Sequence, residues 1–220
     1  MKRLWAACKP SSLSVREKKT GIQAQKDLMS SNGLANVTAK TAAEVCKHFP
    51  LSEEAKKLLR DGMAPAQFLD TLIEKQQFPD AVRFLAHALP KGEAVWWACL
   101  CSRAVAGSDA APKISAALQA AEKWVVDPSE ENRRAAMPAA EAAEFKTPAG
   151  CVAVAAFWSG GSLGPPNVPV VPPGEYLTAH GVAGAVILAA VQSEPEKAAE
   201  KYRKFLAQGI EVAKGTQRWK

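Results

Sequence analysis

The segment GGSLG at residues 160–164 is the first candidate for chemistry in this sequence. It matches the G-x-S-x-G pattern of a serine nucleophile, and Glu175 and His180 follow Ser162 in the order serine, acid, histidine. That pattern requires a strand before the serine and a helix after it, because a strained turn then exposes the hydroxyl above a sheet. Here an apolar helical segment precedes the serine and a proline pair follows it. We therefore expect a flexible loop, with a serine hydrolase built from Ser162, Glu175 and His180 as an alternative.

The histidines and cysteines lack the spacing of metal ligands. His48, His87 and His180 fall in three different predicted helices, and none has a second histidine one turn away. The five cysteines include no C-x-x-C pair, and Cys99 and Cys101 point to different faces of a helix. We therefore expect no metal and no cofactor. An odd number of cysteines leaves at least one thiol without an intramolecular partner, and this favours a reducing compartment.

An adjacent pair of tryptophans is a candidate for binding another protein. The side chains of Trp96 and Trp97 diverge by about 100° on a helix, so at most one of them fits fully in the core. Exposed tryptophan is a frequent hot spot of protein interfaces. We expect Trp97 to face a partner, with packing of Trp97 beneath the proline-rich loop as the alternative.

The proline-rich loop 159–175 has two interpretations. Its prolines and valines are stiff enough to form a strap that covers one end of a helical bundle. Its length also exceeds the roughly 2–8 residues that usually connect helices, and a proline-rich segment is a pre-extended recognition surface. The predicted partner-binding residues are Trp97 together with Leu163, Pro166, Val168, Val170, Tyr176 and Trp5.

Apolar runs bounded by prolines and capping residues predict an all-α protein. The segments 148–158 and 181–191 are apolar on every side, which is typical of helices buried in a core. Each is about half as long as a membrane span, so we expect no membrane span. Caps at Ser52 and Thr147 and a capping box over residues 127–130, from Asp127 to Glu130, mark helix starts. The sequence predicts about nine short helices, stacked as helical hairpins in a solenoid-like or irregular bundle.

The charge of the chain is concentrated at its ends. Of the formal net charge of +6, residues 1–36 carry +5 and residues 194–220 carry +3, so the part between them carries −2. We expect a loose basic tail over 1–36, one helical domain over 37–215 and a C-terminal tail over 216–220. We do not expect the domain to bind nucleic acid. Weak binding through the basic termini is the alternative, with Lys2, Arg3, Lys9, Arg16, Lys18 and Lys19 as the contacts.

The first residues carry no complete export signal. MKRLWAACKP has a basic start, but its apolar part is LWAAC, shorter than the roughly 7–15 apolar residues of a signal peptide. We expect a cytoplasmic protein.

Three segments resemble a known family. They are ALPKGEAVWWACLCSRA, the stretch from TPAGCVAVAAFWSGG through HGVAGAVILAAVQ, and PEKAAEKYRKFLAQGIEVAKG. Together they are similar to an uncharacterised bacterial helical family, a domain of unknown function, over residues 40–215. The resemblance implies a helical fold and an association with contractile, type VI-like secretion gene clusters. It supplies no catalytic residues.

These observations predict a non-enzymatic protein–protein interaction module, such as an adaptor, a chaperone or an assembly factor. The prediction rests on a helical scaffold that lacks a complete catalytic constellation and on the basic N-terminal arm. The expected partner is another protein, and the oligomeric state is left open.

Overall fold

The computed structural model describes residues 33–165, 167–217 and 219. These residues form ten α-helices and one short 3₁₀ helix and contain no strand, which confirms the all-α prediction. In chain order the helices are α1 (Ala42–Cys46), α2 (Glu53–Lys56), α3 (Pro65–Glu74), α4 (Phe78–Ala88), α5 (Lys91–Ala106), α6 (Pro112–Val126), α7 (Glu130–Ala143), α8 (Pro148–Phe157), α9 (Leu177–Val191), the 3₁₀ helix Pro195–Lys197 and α10 (Ala198–Ala213).

Local capping chemistry explains where several helices begin. The side-chain oxygens of Ser52 and Thr147 accept hydrogen bonds from the backbone N–H groups three residues further on, as predicted. At α7 the N-cap is Ser129 and not Asp127 of the predicted capping box, because the Ser129 hydroxyl accepts the hydrogen bond from the N–H of Asn132. Thr41 caps α1 in the same way. Proline occupies the first position of α3, α6 and α8, where its missing N–H costs nothing because that group has no partner within the helix.

The two apolar helices form the centre of the molecule. α8 and α9 pack against each other, α8 also contacts α5, α6 and α7, and α9 also contacts α4, α5 and α10. Small side chains allow this close packing: a Cβ atom added to Gly181 would lie 2.8 Å from the Cβ of Ala155. None of the described helices combines the length and the apolarity that a bilayer crossing requires.

The structure contradicts the expectation that Trp97 of α5 faces a partner. Trp97 is fully buried, and its Nε1–H donates a hydrogen bond to the carbonyl oxygen of Phe205 in α10 at 2.7 Å. Gly209 leaves room for the indole, since a Cβ atom there would lie 2.7 Å from Trp97 Cε2. Trp96 is half-buried instead. Trp97 is therefore not an exposed partner contact, and α10 covers it rather than the proline-rich loop.

The described residues before α1 are attached to the end of α10. The backbone N–H of Asn36 donates to the carbonyl of Ala213 at 2.8 Å, and its side-chain amide donates to the carbonyl of Val212 at 2.9 Å. Residues 33–36, which the sequence assigns to the tail, thus contact the domain. The rest of that tail, including Trp5 and the basic residues predicted to bind nucleic acid, lies outside the described residues.

Candidate functional site

The loop between α8 and α9, residues 159–175, is here called the strap. The hydroxyl of Ser162 accepts hydrogen bonds from the backbone N–H groups of Gly164 at 3.2 Å and Val171 at 3.1 Å. The N–H of Leu163 donates to the carbonyl of Val171 at 2.8 Å. These bonds join the beginning and the end of the strap, so that the residues between them form a closed loop.

Arg133 of α7 anchors the beginning of the strap to the bundle. Its guanidinium is almost completely buried and donates to the carbonyl oxygens of Phe157 at 2.5 Å and Ser162 at 2.9 Å. It also lies over the ring of Phe157, 4.7 Å from the ring centroid. A two-point ion pair with Glu130, at 2.6 and 2.8 Å, supplies the opposite charge. A planar guanidinium suits this role because its five N–H donors point in fixed directions.

Arg134 adds a second attachment next to the first. Its guanidinium donates to the carbonyl of Gly164 at 3.0 Å and to the carboxylate of Glu130 at 2.7 Å. Hydrogen bonds from Arg133, and then from Arg134, lower the pKa of Glu130 to about 2. The carboxylate therefore stays ionised at any ordinary pH, and the two arginines remain oriented toward the strap.

The middle of the strap presents apolar side chains to solvent. Val168, Val170 and Val171 are all exposed, Val170 by 74% of its surface. These valines do not cover the end of the bundle, so the covering interpretation is wrong for them. Leu163 differs from them because it is half-buried against the core. Pro166 lies outside the described residues.

The three residues of the hydrolase hypothesis are not joined to one another. Ser162 is buried, and its oxygen accepts the two backbone hydrogen bonds of the strap. In the described part of the chain, no hydrogen bond links Ser162 to Glu175 or to His180. His180 is exposed and packs edge-on against the ring of His87, with centroids 4.8 Å apart.

Three histidines that are distant in sequence form one cluster of rings with Tyr176: His48 and His87 contact Tyr176, and His180 contacts His87. The ring of Tyr176 stacks on His48 with centroids 3.9 Å apart, and the phenol oxygen lies 3.0 Å from His48 Nε2. The ring of His87 is 5.9 Å from that of Tyr176. The predicted partner residue Tyr176 thus holds the end of the strap against the chain that follows α1. Among the described residues, no group of three or more histidine, cysteine or acidic side chains is arranged to bind a metal ion.

His87 is the buried member of this cluster, with 9% of its surface exposed. Its Nδ1 lies 2.7 Å from the carbonyl oxygen of Arg83. Because a carbonyl only accepts, the proton is on Nδ1 and the Nε2 of the neutral ring is an acceptor. Burial, followed by the nearby His180 and His48, lowers the pKa of His87 to about 4, so the ring is neutral at pH 7. Nε2 has no hydrogen-bond partner among the described residues.

In the described part of the chain, three cavities have histidines of the cluster in their linings. One of about 160 Å³ and one of about 620 Å³ adjoin, because His87 and Tyr176 line both of them. A third, of about 540 Å³, is an apolar groove between α7, α8 and α9. Gly184 lines this groove, and a Cβ atom added there would meet nothing within 4 Å.

Sequence reasoning missed both the arginine anchor and the histidine cluster. A signal for the anchor does exist: Arg133 and Arg134 follow closely after the N-cap of α7, where the helix dipole disfavours cations. Arginines at that position indicate another partner for the charge. No local pattern indicates the histidine cluster, because its members come from separate elements.

Comparison with known proteins gives one match. A family described as Family of unknown function (DUF6931) matches residues 68–213, which extend from α3 to the end of α10 and include the strap, His87 and Tyr176. No curated protein and no solved structure matches the chain. Since the match covers well over half of the sequence, the chain belongs to the DUF6931 family of unknown function.

Proposed function

We propose that the chain is a non-enzymatic protein-binding module that acts as an adaptor, chaperone or assembly factor in the bacterial cytoplasm. The observation that carries this proposal is the exposed row of Val168, Val170 and Val171 on an anchored strap. Adjacent exposed apolar side chains on an ordered segment are typical of contact sites for other proteins. The free thiols of Cys46, Cys99, Cys101 and Cys151 support a reducing compartment.

The resemblance of the three segments to proteins of contractile, type VI-like secretion clusters suggests the setting. We propose that the partner is a component of such a machine. A helical scaffold with an anchored loop suits a role in holding or delivering another subunit.

The backbone of the strap favours recognition through side chains. Proline has no N–H, and five of the nine residues from 165 to 173 are prolines, which removes more than half of the donors that a β-strand partner would pair with. An extended proline-rich segment instead presents its side chains at spacings of about 3 Å per residue, as in the recognition of polyproline II segments. We therefore expect the partner to supply an apolar pocket for Val170 and its neighbours.

A charge substitution at Val170 tests the proposal. The full chain, tagged and purified, is used to capture proteins from native lysate of the source bacterium, and the stoichiometry of each captured protein is measured. We expect a stoichiometric partner with the wild type and at least a tenfold loss of it with Val170→Asp. The matched control is Val126→Asp, because Val126 is a valine at the end of α6 that is 58% exposed.

The control is expected to capture the partner like the wild type. Recovery of the chain alone under mild conditions would argue against an interaction module. Equal capture by Val170→Asp and by the wild type would show that the strap is not the contact surface. Far-ultraviolet circular dichroism of both variants verifies that the helices are intact.

A further inference from the structure

We infer that the partner of the strap is a protein with an aromatic-lined groove that recognises the segment 168–173 as a polyproline II helix. This inference rests on the proposed function and goes further, because it names the kind of partner and the side chains that enter its groove. The observations that carry it are the conformation of the segment, the edges that the segment exposes and its free carbonyl groups.

The sequence of this segment restricts its backbone to an extended conformation. Three of its six residues, Pro169, Pro172 and Pro173, are prolines, whose rings fix φ at about −65°. Val168 and Val171 each precede a proline, which disfavours the α-helical region for them. The last five residues of the segment accordingly form no helix, turn or strand. A polyproline II helix, with three residues per turn, is the regular structure that such a chain adopts.

One edge of this helix is turned toward the beginning of the strap. With three residues per turn, residues i and i+3 lie on the same edge, so Val168 and Val171 share one. A Cβ atom added to Gly164 would lie 2.9 Å from Val168 Cγ2, and the N–H of Val171 donates to the hydroxyl of Ser162. These two valines are 46% and 53% exposed, whereas Val170 on another edge is 74% exposed. The edge of Val168 and Val171 is therefore the less accessible one.

The two remaining edges form the surface that is open to a partner. Pro169 and Pro172 lie on one of them and are exposed, and Val170 and the half-buried Pro173 lie on the other. A groove that covers both edges receives Pro169 with Val170 in one pocket and the two later prolines in the next. Val170 therefore enters the groove, as the proposed function requires, and prolines supply the other contacts.

The carbonyl groups of this surface determine which donors the groove needs. Among the described residues, the carbonyls of Pro169, Val170 and Pro172 accept no hydrogen bond. Charged residues are absent from Leu163 to Gly174, so apolar contacts and hydrogen bonds have to carry the recognition. Tryptophan and tyrosine combine an apolar ring face for proline with an N–H or O–H donor for a carbonyl. We therefore expect these two residue types to line the groove of the partner.

Substitutions along the segment distinguish this geometry from two others. Each variant of the full chain, tagged and purified, is used to capture proteins from native lysate, and the captured partner is quantified. We expect Pro169→Asp and Pro172→Asp to reduce capture at least tenfold and Val168→Asp to reduce it about threefold or less. A partner that pairs with a β-strand would contact every second residue, so it would require Val168 and tolerate Pro169→Asp. A partner that needs only the valines would tolerate aspartate at both prolines.

A proline peptide tests the groove without any change to the protein. Decaproline forms a polyproline II helix that has no valine side chains, and a Gly–Ser peptide of the same length is a flexible coil. We expect a millimolar excess of decaproline to reduce capture by the wild type at least by half. The same excess of the Gly–Ser peptide is the matched control and is expected to leave capture unchanged. Far-ultraviolet circular dichroism verifies that the helices of each variant are intact.

The outcomes separate this inference from the proposed function. Loss of the partner in Val170→Asp, together with normal capture by Pro169→Asp and Pro172→Asp, would overturn the inference and leave the strap as a protein-binding surface. A strong loss in Val168→Asp with normal capture by Pro169→Asp would overturn it in favour of strand pairing. Capture that decaproline does not reduce would also overturn it. Capture of no partner by the wild type would overturn both the inference and the proposed function.

Discussion

Thr178 is the residue whose replacement has the simplest expected effect on stability. Its hydroxyl is buried in the first turn of α9 without a hydrogen-bond partner among the described residues. Burying such a group costs about 1 kcal/mol or more, and valine has nearly the same shape. Thr178→Val is therefore expected to raise the free energy of unfolding in urea by about 1 kcal/mol. Thr147→Val, which removes the N-cap of α8, is the contrasting control and is expected to lower it by about 1 kcal/mol.

A loss of stability in Thr178→Val would show that the hydroxyl has a partner outside the protein atoms described above.

The pKa of His87 predicts how stability depends on pH. Burial lowers it from 6.5 to about 4 in the folded protein. As the pH falls from 6.5 toward 4, His87 becomes protonated in the unfolded chain but stays neutral in the folded chain. The contribution of the neutral His87 to the free energy of unfolding is thus fully present above pH 6.5 and is lost progressively as the pH falls toward 4. We expect a decrease of roughly 2 kcal/mol in the free energy of unfolding over this range.

The substitution His87→Asn checks this assignment, because asparagine keeps a donor near the position of Nδ1 and does not titrate. Unfolding in urea at a series of pH values is the measurement. The pH dependence between 6.5 and 4 is expected to be shallower in the variant, and equal slopes in the two proteins would contradict the role of His87.

At the scale of elements, two glycines of α9 are expected to respond in opposite ways to the same substitution. A Cβ atom at Gly181 would lie 2.8 Å from the Cβ of Ala155 in α8, so Gly181→Ala is expected to cost about 1–3 kcal/mol. A Cβ atom at Gly184 would meet nothing within 4 Å. Gly184→Ala should gain about 0.5–1 kcal/mol, because alanine favours the helix. Thermal unfolding of the two variants measures the contrast, and a gain in both would mean that α8 and α9 are not in close contact.

The contrast between predicted and observed elements has a physical basis. The starts of α2 and α8 could be predicted from the sequence because capping at Ser52 and Thr147 depends on only a few neighbouring residues. The orientation of Trp96 and Trp97 could not be predicted in this way. α5 is apolar on most sides, so its pattern does not select a face. Contacts with α10 determine which tryptophan is buried, because the carbonyl of Phe205 accepts a hydrogen bond from Trp97 and the small Gly209 leaves room for its indole.

At the scale of the whole molecule, the candidate sites depend on residues that only the tertiary fold brings together. His48, His87 and His180 occupy separate elements, yet His48 and His87 meet at Tyr176 and His180 packs against His87. Their spacing in the sequence therefore contains no information about the cluster. The strap itself can be recognised from its prolines. The position of Arg133 near the start of α7 indicates that its charge has a partner, but not that this partner is the strap, because the two are separated by α8.

Arg133 connects three parts of the molecule, so its replacement should affect both stability and the strap. Arg133→Leu leaves the carbonyls of Phe157 and Ser162 without their donor, at a cost of about 2–4 kcal/mol. We expect the free energy of unfolding to fall by that amount and elastase to cleave faster after Val170, since Val168 and Val171 each precede a proline and are not cleaved. Arg134→Leu is the matched control and should cost about 1 kcal/mol, because it removes one carbonyl contact of a less buried side chain.

Equal effects of the two arginine variants would contradict the anchoring role of Arg133. Faster cleavage without a loss of stability would mean that the anchor holds the strap but contributes little to the core.

The anchored ends of the strap also have a consequence for the thermodynamics of association. Ser162 and Arg133 hold one end, Tyr176 on His48 holds the other, and prolines restrict the backbone between them. Most of the conformational entropy of this segment is thus lost during folding and not during association. A variant that loosens the anchor should bind a partner more weakly through a less favourable entropy, with the enthalpy of the contact nearly unchanged. Distant residues such as Arg133 would then control affinity without touching the partner.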